Sequence, residues 1–327
     1  MRRIFFFIPF IFISCGDYYG RPVPIGDEFE DHWEKINFEG MIYDIEDSKI
    51  KENEFFIIDE NSIYILDTTI RNLFSLSYPY PELTTLASSF SNPLRLLIGT
   101  NSSKIYYCNM EGVLREFELN SLGNIKFLSF SPLDTTTIFA TDGSLLLKVF
   151  LPELQIDTLY YSNSNIISLL VSSSAEIFLA STNQVCSSID LGLSWDTLYI
   201  ASGEYINGFA LDKKGILYLS IGNKILKSED RIKWTEFYTN SIGNFSIAGI
   251  DNGLLLLRTD GDVVSAFKID ETGKSYDISL GIVHTFVYIS DSPLMLAVNE
   301  NRYLISFRDA DEKDSALLIF LDTILPP

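Results

Sequence analysis

The sequence repeats itself with a period of roughly 40 residues, and this period constrains the fold more than any other feature. Four consecutive segments share one pattern, and they begin at Asn124, Asn165, Tyr205 and Asn244. The intervals between successive starts are therefore nearly constant. Each segment contains an alternating apolar run, a turn, a strongly apolar run, a second turn, a third alternating run, a loop and a last strand. Similar segments begin near Leu83 and Val283, and a less regular one covers residues 40–80.

Short apolar runs bounded by Gly, Asn, Asp or Ser mark the strands of each repeat. Residues 177–180, 216–220 and 254–258 are examples, and such runs are typical of buried strands. Asp-Gly pairs at Asp142 and Asp260 are hairpin signals, because both residue types tolerate positive φ. Four strands in each repeat of this length predict an all-β protein, a β-propeller with four-stranded blades. Counting segments predicts seven blades, or six if residues 40–80 do not make a complete blade.

The best-preserved repeat motif is SSIDLGLSWDTLY, residues 187–199. Within it, the residues Ser188, Asp190, Gly192, Ser194 and Trp195 fit the pattern S-x-D-x-G-x-S-W. This pattern resembles the Asp-box of sialidase-like and related propellers, some of which are assembly factors of the photosystem II type. In that family the box is structural and lies between the third and fourth strands of a blade. The residue types suit a turn, because Asp and Ser side chains bond nearby backbone N–H groups, Gly adopts unusual backbone angles and Trp packs between blades.

Partial copies of the motif recur at the blade spacing. Those of blades five and six consist of Ser228, Asp230 and Trp234, and of Asp270, Gly273 and Tyr276. Arg231 stands where the motif often has Gly, and blade two keeps Gly112 with Cys108 in the place of the first Ser. The tetrapeptide Asp-Thr-Leu-Tyr occurs at 157–160 and 196–199, with an echo at 321–324. A disulfide between Cys108 and Cys186 would have to cross a blade, so we expect free and mostly buried thiols.

The N-terminal segment 1–15 has the features of an export signal. Two arginines precede an apolar run at 4–13, which is too short to span a bilayer core that needs about 20 residues. Ser14 then stands directly before Cys15, an arrangement that resembles the lipobox of bacterial lipoproteins, although Phe12 replaces the usual Leu. The resemblance implies a signal peptide at 1–14, lipid attachment at Cys15 and a location in the bacterial cell envelope. An ordinary cleaved signal is the alternative.

Composition and length set the remaining expectations. Hydrophobic residues make up 46% of the chain, enough for a sizeable core. The net charge of −20 repels phosphate backbones, so we expect no nucleic-acid partner. We predict a lipid-anchored linker at 15–39 and a propeller at 40–327, acting as a monomer.

Catalytic chemistry finds little support in the sequence. Sialidases clamp a carboxylate with three arginines and use a Tyr–Glu nucleophile pair, but the arginines here do not form a recognisable set, and we place Arg231 in a turn away from the central axis. The two histidines, His32 and His284, have no zinc-site spacing. We therefore predict no catalytic residues, metal or cofactor. The predicted function is a binding or assembly platform for protein or glycan in the cell envelope; the alternative is a degenerate sialidase-like hydrolase.

Overall fold

The computed structural model describes eleven segments of the chain: 33–38, 42–51, 54–67, 69–77, 81–239, 244–250, 253–260, 263–278, 295–299, 302–308 and 315–321. These residues form 28 strands in seven four-stranded antiparallel sheets. The predicted all-β propeller is thus confirmed, and the blade count among the described residues is seven. The runs expected at 177–180 and 254–258 lie within strands, as do residues 217–220 of the third run, and residues 177–180, 217–220 and 254–257 are buried.

In blades 1 to 6 the four strands follow one another along the chain. Blade 1 contains β2 (Asp44–Asp47), β3 (Phe55–Ile58), β4 (Ser62–Leu66) and β5 (Ile70–Ser75). Blade 2 contains β6 (Leu83–Ser88), β7 (Leu96–Thr100), β8 (Lys104–Asn109) and β9 (Gly112–Glu118). Blade 3 contains β10 (Phe127–Phe130), β11 (Thr137–Thr141), β12 (Leu145–Phe150) and β13 (Gln155–Tyr161).

The next three blades have the same plan. Blade 4 contains β14 (Ile166–Val171), β15 (Ile177–Ser181), β16 (Gln184–Ser188) and β17 (Asp196–Ile200). Blade 5 contains β18 (Ile206–Leu211), β19 (Leu217–Ile221), β20 (Lys224–Ser228) and β21 (Thr235–Thr239). Blade 6 contains β22 (Asn244–Ile250), β23 (Gly253–Asp260), β24 (Val263–Asp270) and β25 (Ser275–Asp277).

Blade 7 combines the two ends of the chain. Its first three strands are β26 (Met295–Asn299), β27 (Arg302–Arg308) and β28 (Ser315–Leu321), and its fourth is β1 (Trp33–Phe38). Trp33 pairs with Phe320 and Phe38 with Ser315. The predicted boundary at residue 40 is therefore wrong, because Trp33–Phe38 belong to the propeller and close its ring. Three sequence predictions fall wholly or partly outside the described residues. They are the last copy of the tetrapeptide at 321–324, the start of the last repeat near Val283 and the turn at Asp260-Gly261.

The core lies between neighbouring sheets. The first strands of successive blades contact each other in order, from β2 through β26 and back to β2, so they line a central channel. The second strands are almost wholly buried, whereas the fourth strands are largely exposed. Each apolar cluster joins two blades; in one of them Ile105 and Phe117 of blade 2 pack with Phe130 and Val149 of blade 3. Blade faces must bury apolar residues on both sides, which explains the strongly apolar runs of the sequence.

One face of the disc carries the loops that join strands 1 and 2 and strands 3 and 4 of each blade. Ion pairs between loops of the two kinds in neighbouring blades show that both kinds lie on the same face. Glu176 pairs with Arg231, and Lys214 Nζ lies 2.7 Å from Glu271 Oε2. We call this side the mouth face, and the other side the opposite face.

Both described cysteines are free and buried, as expected. Cys108 is completely buried, and burial raises the pKa of its thiol to about 12. A thiol with such a pKa is a poor nucleophile at neutral pH. Among the described residues, no helix has the length and apolar character needed to cross a membrane.

Candidate functional site

The turn at residues 188–195 joins β16 to β17, between the third and fourth strands of blade 4 as predicted. The Asp190 carboxylate organises it. Asp190 Oδ1 accepts hydrogen bonds from Ser188 Oγ (2.8 Å) and the Ser194 backbone N–H (2.9 Å), and Oδ2 accepts one from Ser194 Oγ (2.6 Å). The Ser194 hydroxyl and N–H, together with Ser188, hold the pKa of Asp190 at about 2. This acid is therefore ionised at neutral pH and fixed in a turn.

The turn also connects blade 4 to blade 3. Trp195 Nε1 donates to the Leu159 carbonyl (3.2 Å), and its ring lies 5.1 Å from the Tyr160 ring. A Cβ at Gly192, where φ is +91°, would lie 2.5 Å from Leu159 Cδ1. The backbone angle favours glycine at this position, and a larger residue would also have to displace the Leu159 side chain of the neighbouring blade.

The same contact recurs one blade further on. Trp234 Nε1 donates to the Leu198 carbonyl (2.9 Å), and the Trp234 ring lies 5.5 Å from the Tyr199 ring. Leu159-Tyr160 and Leu198-Tyr199 are the last two residues of the repeated Asp-Thr-Leu-Tyr tetrapeptide. The tetrapeptide therefore recurs because it receives the tryptophan of the next blade.

The turns of blades 5 and 6 show the same carboxylate role. Asp230 Oδ1 accepts the N–H groups of Ile232 and Lys233, at 2.9 and 2.7 Å, and these bonds lower its pKa. In blade 6, Thr272 and Lys274 N–H groups bond Asp270 Oδ1, and Tyr276 Oη donates to Oδ2 at 3.1 Å. Gly273 completes this turn with a φ of +87°.

The predicted motif residues thus gather into three separate turns on three blades and do not converge on one point. Apart from Ser228, whose buried hydroxyl has no hydrogen-bond partner among the described residues, their groups hold turns and blade contacts. The predicted lipid-attachment residue Cys15 lies outside the described residues.

A cavity of about 870 Å³ lies at the mouth-face end of the central channel. Its described lining comes from the ends of the first strands and the loops that follow them, in blades 1, 4, 5 and 6 above all, with a smaller contribution from blades 2 and 3. Blade 5 and blade 6 approach closely here, since a Cβ at Gly249 would lie 2.2 Å from the Leu211 carbonyl oxygen. The volume is in the range of small-ligand and peptide side-chain pockets.

Blade 1 contributes a charged cluster to this cavity. Lys49 Nζ lies 2.6 Å from Asp47 Oδ1 and 3.2 Å from Glu46 Oε1, so one ammonium serves two carboxylates. Asp44 begins the same strand outside the cavity lining, and its carboxylate accepts the N–H groups of Leu86 (2.7 Å) and Ile45 (2.9 Å). The bond to Leu86 joins the first strands of blades 1 and 2.

These acids differ in kind from those of the turns. Burial raises the pKa of Asp44 to about 6 and that of Glu46 to about 7, despite the opposing influence of backbone N–H groups and of Lys49. An acid whose pKa is higher in the folded than in the unfolded chain lowers stability as the pH rises from its ordinary pKa to the raised one, because the unfolded chain ionises first, and the full loss is present above the raised value. The turn acids stabilise the fold at neutral pH, whereas the raised pKa values of Asp44 and of Glu46, the one of the two that lines the cavity, oppose it. Groups kept at a cost to stability are candidates for a functional site.

Blades 4 and 5 supply the other charged wall. Arg231 lines the cavity, pairs with buried Glu176 and lies 5.4 Å from the centre of the Phe178 ring. The sequence-based placement of Arg231 away from the central axis is therefore wrong. The arginine starts in the β20–β21 turn with a φ of +64°, and its long side chain extends across to blade 4.

Sequence reasoning missed the acids and the lysine of blade 1. A signal was present in YDIED, residues 43–47, because carboxylates are depleted in strands and this strand lies in a first-strand position. These charged residues lie in the least regular repeat, where the strand pattern is hardest to recognise. Among the described residues, no group of three or more His, Cys, Asp or Glu side chains could hold a metal ion. Of the four arginines whose side chains are described, Arg71, Arg95, Arg115 and Arg231, only Arg231 lines the cavity.

The fold and this channel define a protein of the β-propeller class. No protein-family model matches the sequence, and a search of curated proteins found no match. Solved structures do resemble the chain. The WD40 repeats of RRP9 superpose with a TM-score of 0.68 at 13% identity, over 89% of this chain and 98% of that one.

Two further structural neighbours are complexes with a bound ligand. One is a catalytically inactive virginiamycin B lyase from Staphylococcus aureus with quinupristin, with a TM-score of 0.67, 15% identity and coverage of 88% of this chain and 99% of that chain. The other is YCF48 bound to D1 peptide, with a TM-score of 0.63, 13% identity and coverage of 89% and 97%. At these identities the similarity establishes the propeller fold alone.

Proposed function

We propose that this chain is a lipid-anchored β-propeller of the bacterial cell envelope, which binds a protein or glycan partner on its mouth face without catalysing a reaction. The cavity at the end of the channel carries the proposal. It combines a volume of about 870 Å³ with a charged cluster of Glu46, Asp47 and Lys49, in which the burial of Glu46 opposes folding. The YCF48 neighbour, bound to D1 peptide, supports a protein or peptide partner.

We further assign the turns of blades 4, 5 and 6 to decayed Asp-box repeats. The carboxylate-centred hydrogen bonds of Asp190, Asp230 and Asp270 support that assignment, as does the position of each turn between third and fourth strands. A sialidase-like hydrolase is not favoured by any observation on the described residues, since a single described arginine faces the cavity.

Blocking the cavity tests the binding function. Ser173 lines the cavity and is exposed, so Ser173→Trp is expected to fill the mouth without disturbing the core. The mature protein is cross-linked to its partners in isolated envelopes, and the captured proteins and glycans are identified by mass spectrometry. We expect Ser173→Trp to abolish capture of the partner that the wild type retains.

The control places the same side chain on the other side of the disc. Ser202 is exposed in the connection between β17 and β18, on the opposite face, and Ser202→Trp should capture the partner normally. Equal capture by both variants would mean that the cavity is not the binding site. Loss in Ser202→Trp alone would place the site on the opposite face.

Labelling with palmitate tests the anchor separately. The wild type is expected to incorporate the label and Cys15→Ala to lose it, because diacylation requires the thiol of that residue. Equal incorporation in both would reject the lipoprotein assignment and leave the binding proposal intact.

A further inference from the structure

Large apolar side chains are exposed at the tips of mouth-face loops on three neighbouring blades. The exposed fractions are 67% for Leu133 in the β10–β11 loop, 77% for Ile189 and 81% for Leu193 in the β16–β17 turn, and 85% for Ile232 in the β20–β21 turn. We call these four residues the apolar tips. Their side chains make no use of the turn geometry, which depends on Asp190 and Asp230, so the fold gives no reason for their apolar character.

The described chain also begins on this face. Trp33 pairs with Phe320, and Phe38 pairs with Ser315. Ser315 is the first residue of β28 and stands at the opposite-face end of that strand. Trp33 therefore stands at the mouth-face end of β1.

We propose that the mouth face is turned toward a lipid surface, into whose interfacial layer the apolar tips insert. The tips stand on separate loops spread over three blades rather than around a groove, which suits shallow insertion into a fluid layer. The anchor proposed at Cys15 would leave residues 16–32 as a tether that cannot exceed about 60 Å. Tyr161, Ile200 and Tyr205 are exposed by 69–74% on the opposite face, so exposure alone does not select the mouth face. The tether brings the mouth face near the membrane, and the tips hold it there.

The net charge of the chain indicates which kind of lipid surface the mouth face can meet. The chain carries a net charge of −20, so an anionic bilayer would repel it. The tips alone supply a small apolar area, which gives weak, reversible attachment unless a second signal holds the protein at the surface. The affinity of the propeller for the membrane therefore depends on the lipid anchor of the proposed function, on which this proposal rests, whereas its orientation depends on the tips. It also places the cavity opposite segments of a partner that emerge from the same membrane.

The experiment uses an artificial anchor in place of Cys15, so that the orientation of the mouth face is tested independently of the proposed lipid attachment. The chain from residue 16 retains all 28 strands, and a polyhistidine segment at its N-terminus binds it to phosphatidylcholine vesicles that contain a nickel-chelating lipid. Because Cys108 and Cys186 are buried, a fluorophore attaches selectively to a new surface cysteine. It is placed in Leu193→Cys on the mouth face or in Ile200→Cys, which ends β17 on the opposite face with a comparable exposure of 69%.

A nitroxide-labelled lipid then reports which face meets the bilayer. We expect quenching to be several-fold stronger for the label at position 193 than at position 200. Adding Leu133→Ser, Ile189→Ser and Ile232→Ser to the Leu193→Cys protein removes all four tips and should reduce the difference to near zero, because only the apolar tips hold the orientation. The three replaced side chains are highly exposed, so their replacement leaves the fold unaffected.

Three results would overturn the proposal. Equal quenching at both positions means that the tethered propeller tumbles freely. Stronger quenching at position 200 means that the opposite face meets the membrane. Quenching at position 193 that persists in the serine variants means that the tether alone sets the orientation, and the tips are then free for a protein partner. None of these results bears on palmitate labelling of Cys15, which tests the anchor.

Discussion

A chain that begins at residue 39 is expected to unfold at a temperature about 10 °C lower than a chain that begins at residue 33, a loss of roughly 4 kcal/mol. The shorter chain lacks β1 and therefore the fourth strand of blade 7. It loses six pairs of residues with β28, from Trp33–Phe320 to Phe38–Ser315. It also loses the buried Phe38 ring, which packs between blade 7 and blade 1, 4.9 Å from the ring of Tyr64. The exposed edge of β28 would then be open to pairing with other chains.

The matched comparison is a chain that begins at residue 16. Thermal unfolding followed by circular dichroism should give the same melting temperature for the chains starting at 16 and at 33. Size-exclusion chromatography should show aggregation of the chain starting at 39 alone. Equal melting temperatures for all three would mean that β1 contributes nothing to ring closure, and the propeller would begin near residue 40 as the sequence pattern indicates.

Local sequence signals predicted what local interactions decide. The repeat period, the buried second strands and the Ser188–Trp195 turn all depend on residues close together in the chain, and each is found where the pattern places it. The turn at Asp142 is another case: its carboxylate accepts the N–H groups of Ser144 (2.9 Å) and Leu145 (3.1 Å), and Gly143 adopts a φ of +100°. Such a turn needs no distant partner to form.

Ring closure could not be predicted in this way. The partner of β1 lies near the other end of the chain, and the polar sequence WEKINF carries no clear alternation that would mark a strand at the edge of a sheet. The cavity could not be predicted from the sequence for the same reason. Arg231 reaches Glu176 across a blade boundary. Lys49 pairs locally with Glu46 and Asp47, but the residues of the other blades that share their cavity lie far away in the sequence. Which side chains converge on a channel depends on how all the blades close, and spacing within one repeat does not record it.

Trp195→Ala is expected to lower the free energy of unfolding by about 2–3 kcal/mol. The indole is partly buried, so the cost falls below the roughly 3–5 kcal/mol typical of a fully buried tryptophan. Three losses add up: the hydrogen bond from Nε1 to the Leu159 carbonyl, the contact with the Tyr160 ring and the apolar area against blade 3. Urea denaturation measures the change, since the slope should stay constant while the midpoint falls.

Trp195→Phe separates these contributions. It keeps a ring near Tyr160 but removes the Nε1 donor, so it should cost about 1 kcal/mol, the usual net value of one hydrogen bond. Combining Trp195→Ala with Tyr160→Ala should then be less destabilising than the sum of the single changes by about 0.5–1.5 kcal/mol, because aromatic pairs couple by that amount. Full additivity would mean that the two rings do not interact, and that the recurrence of Asp-Thr-Leu-Tyr one blade before each tryptophan has another cause.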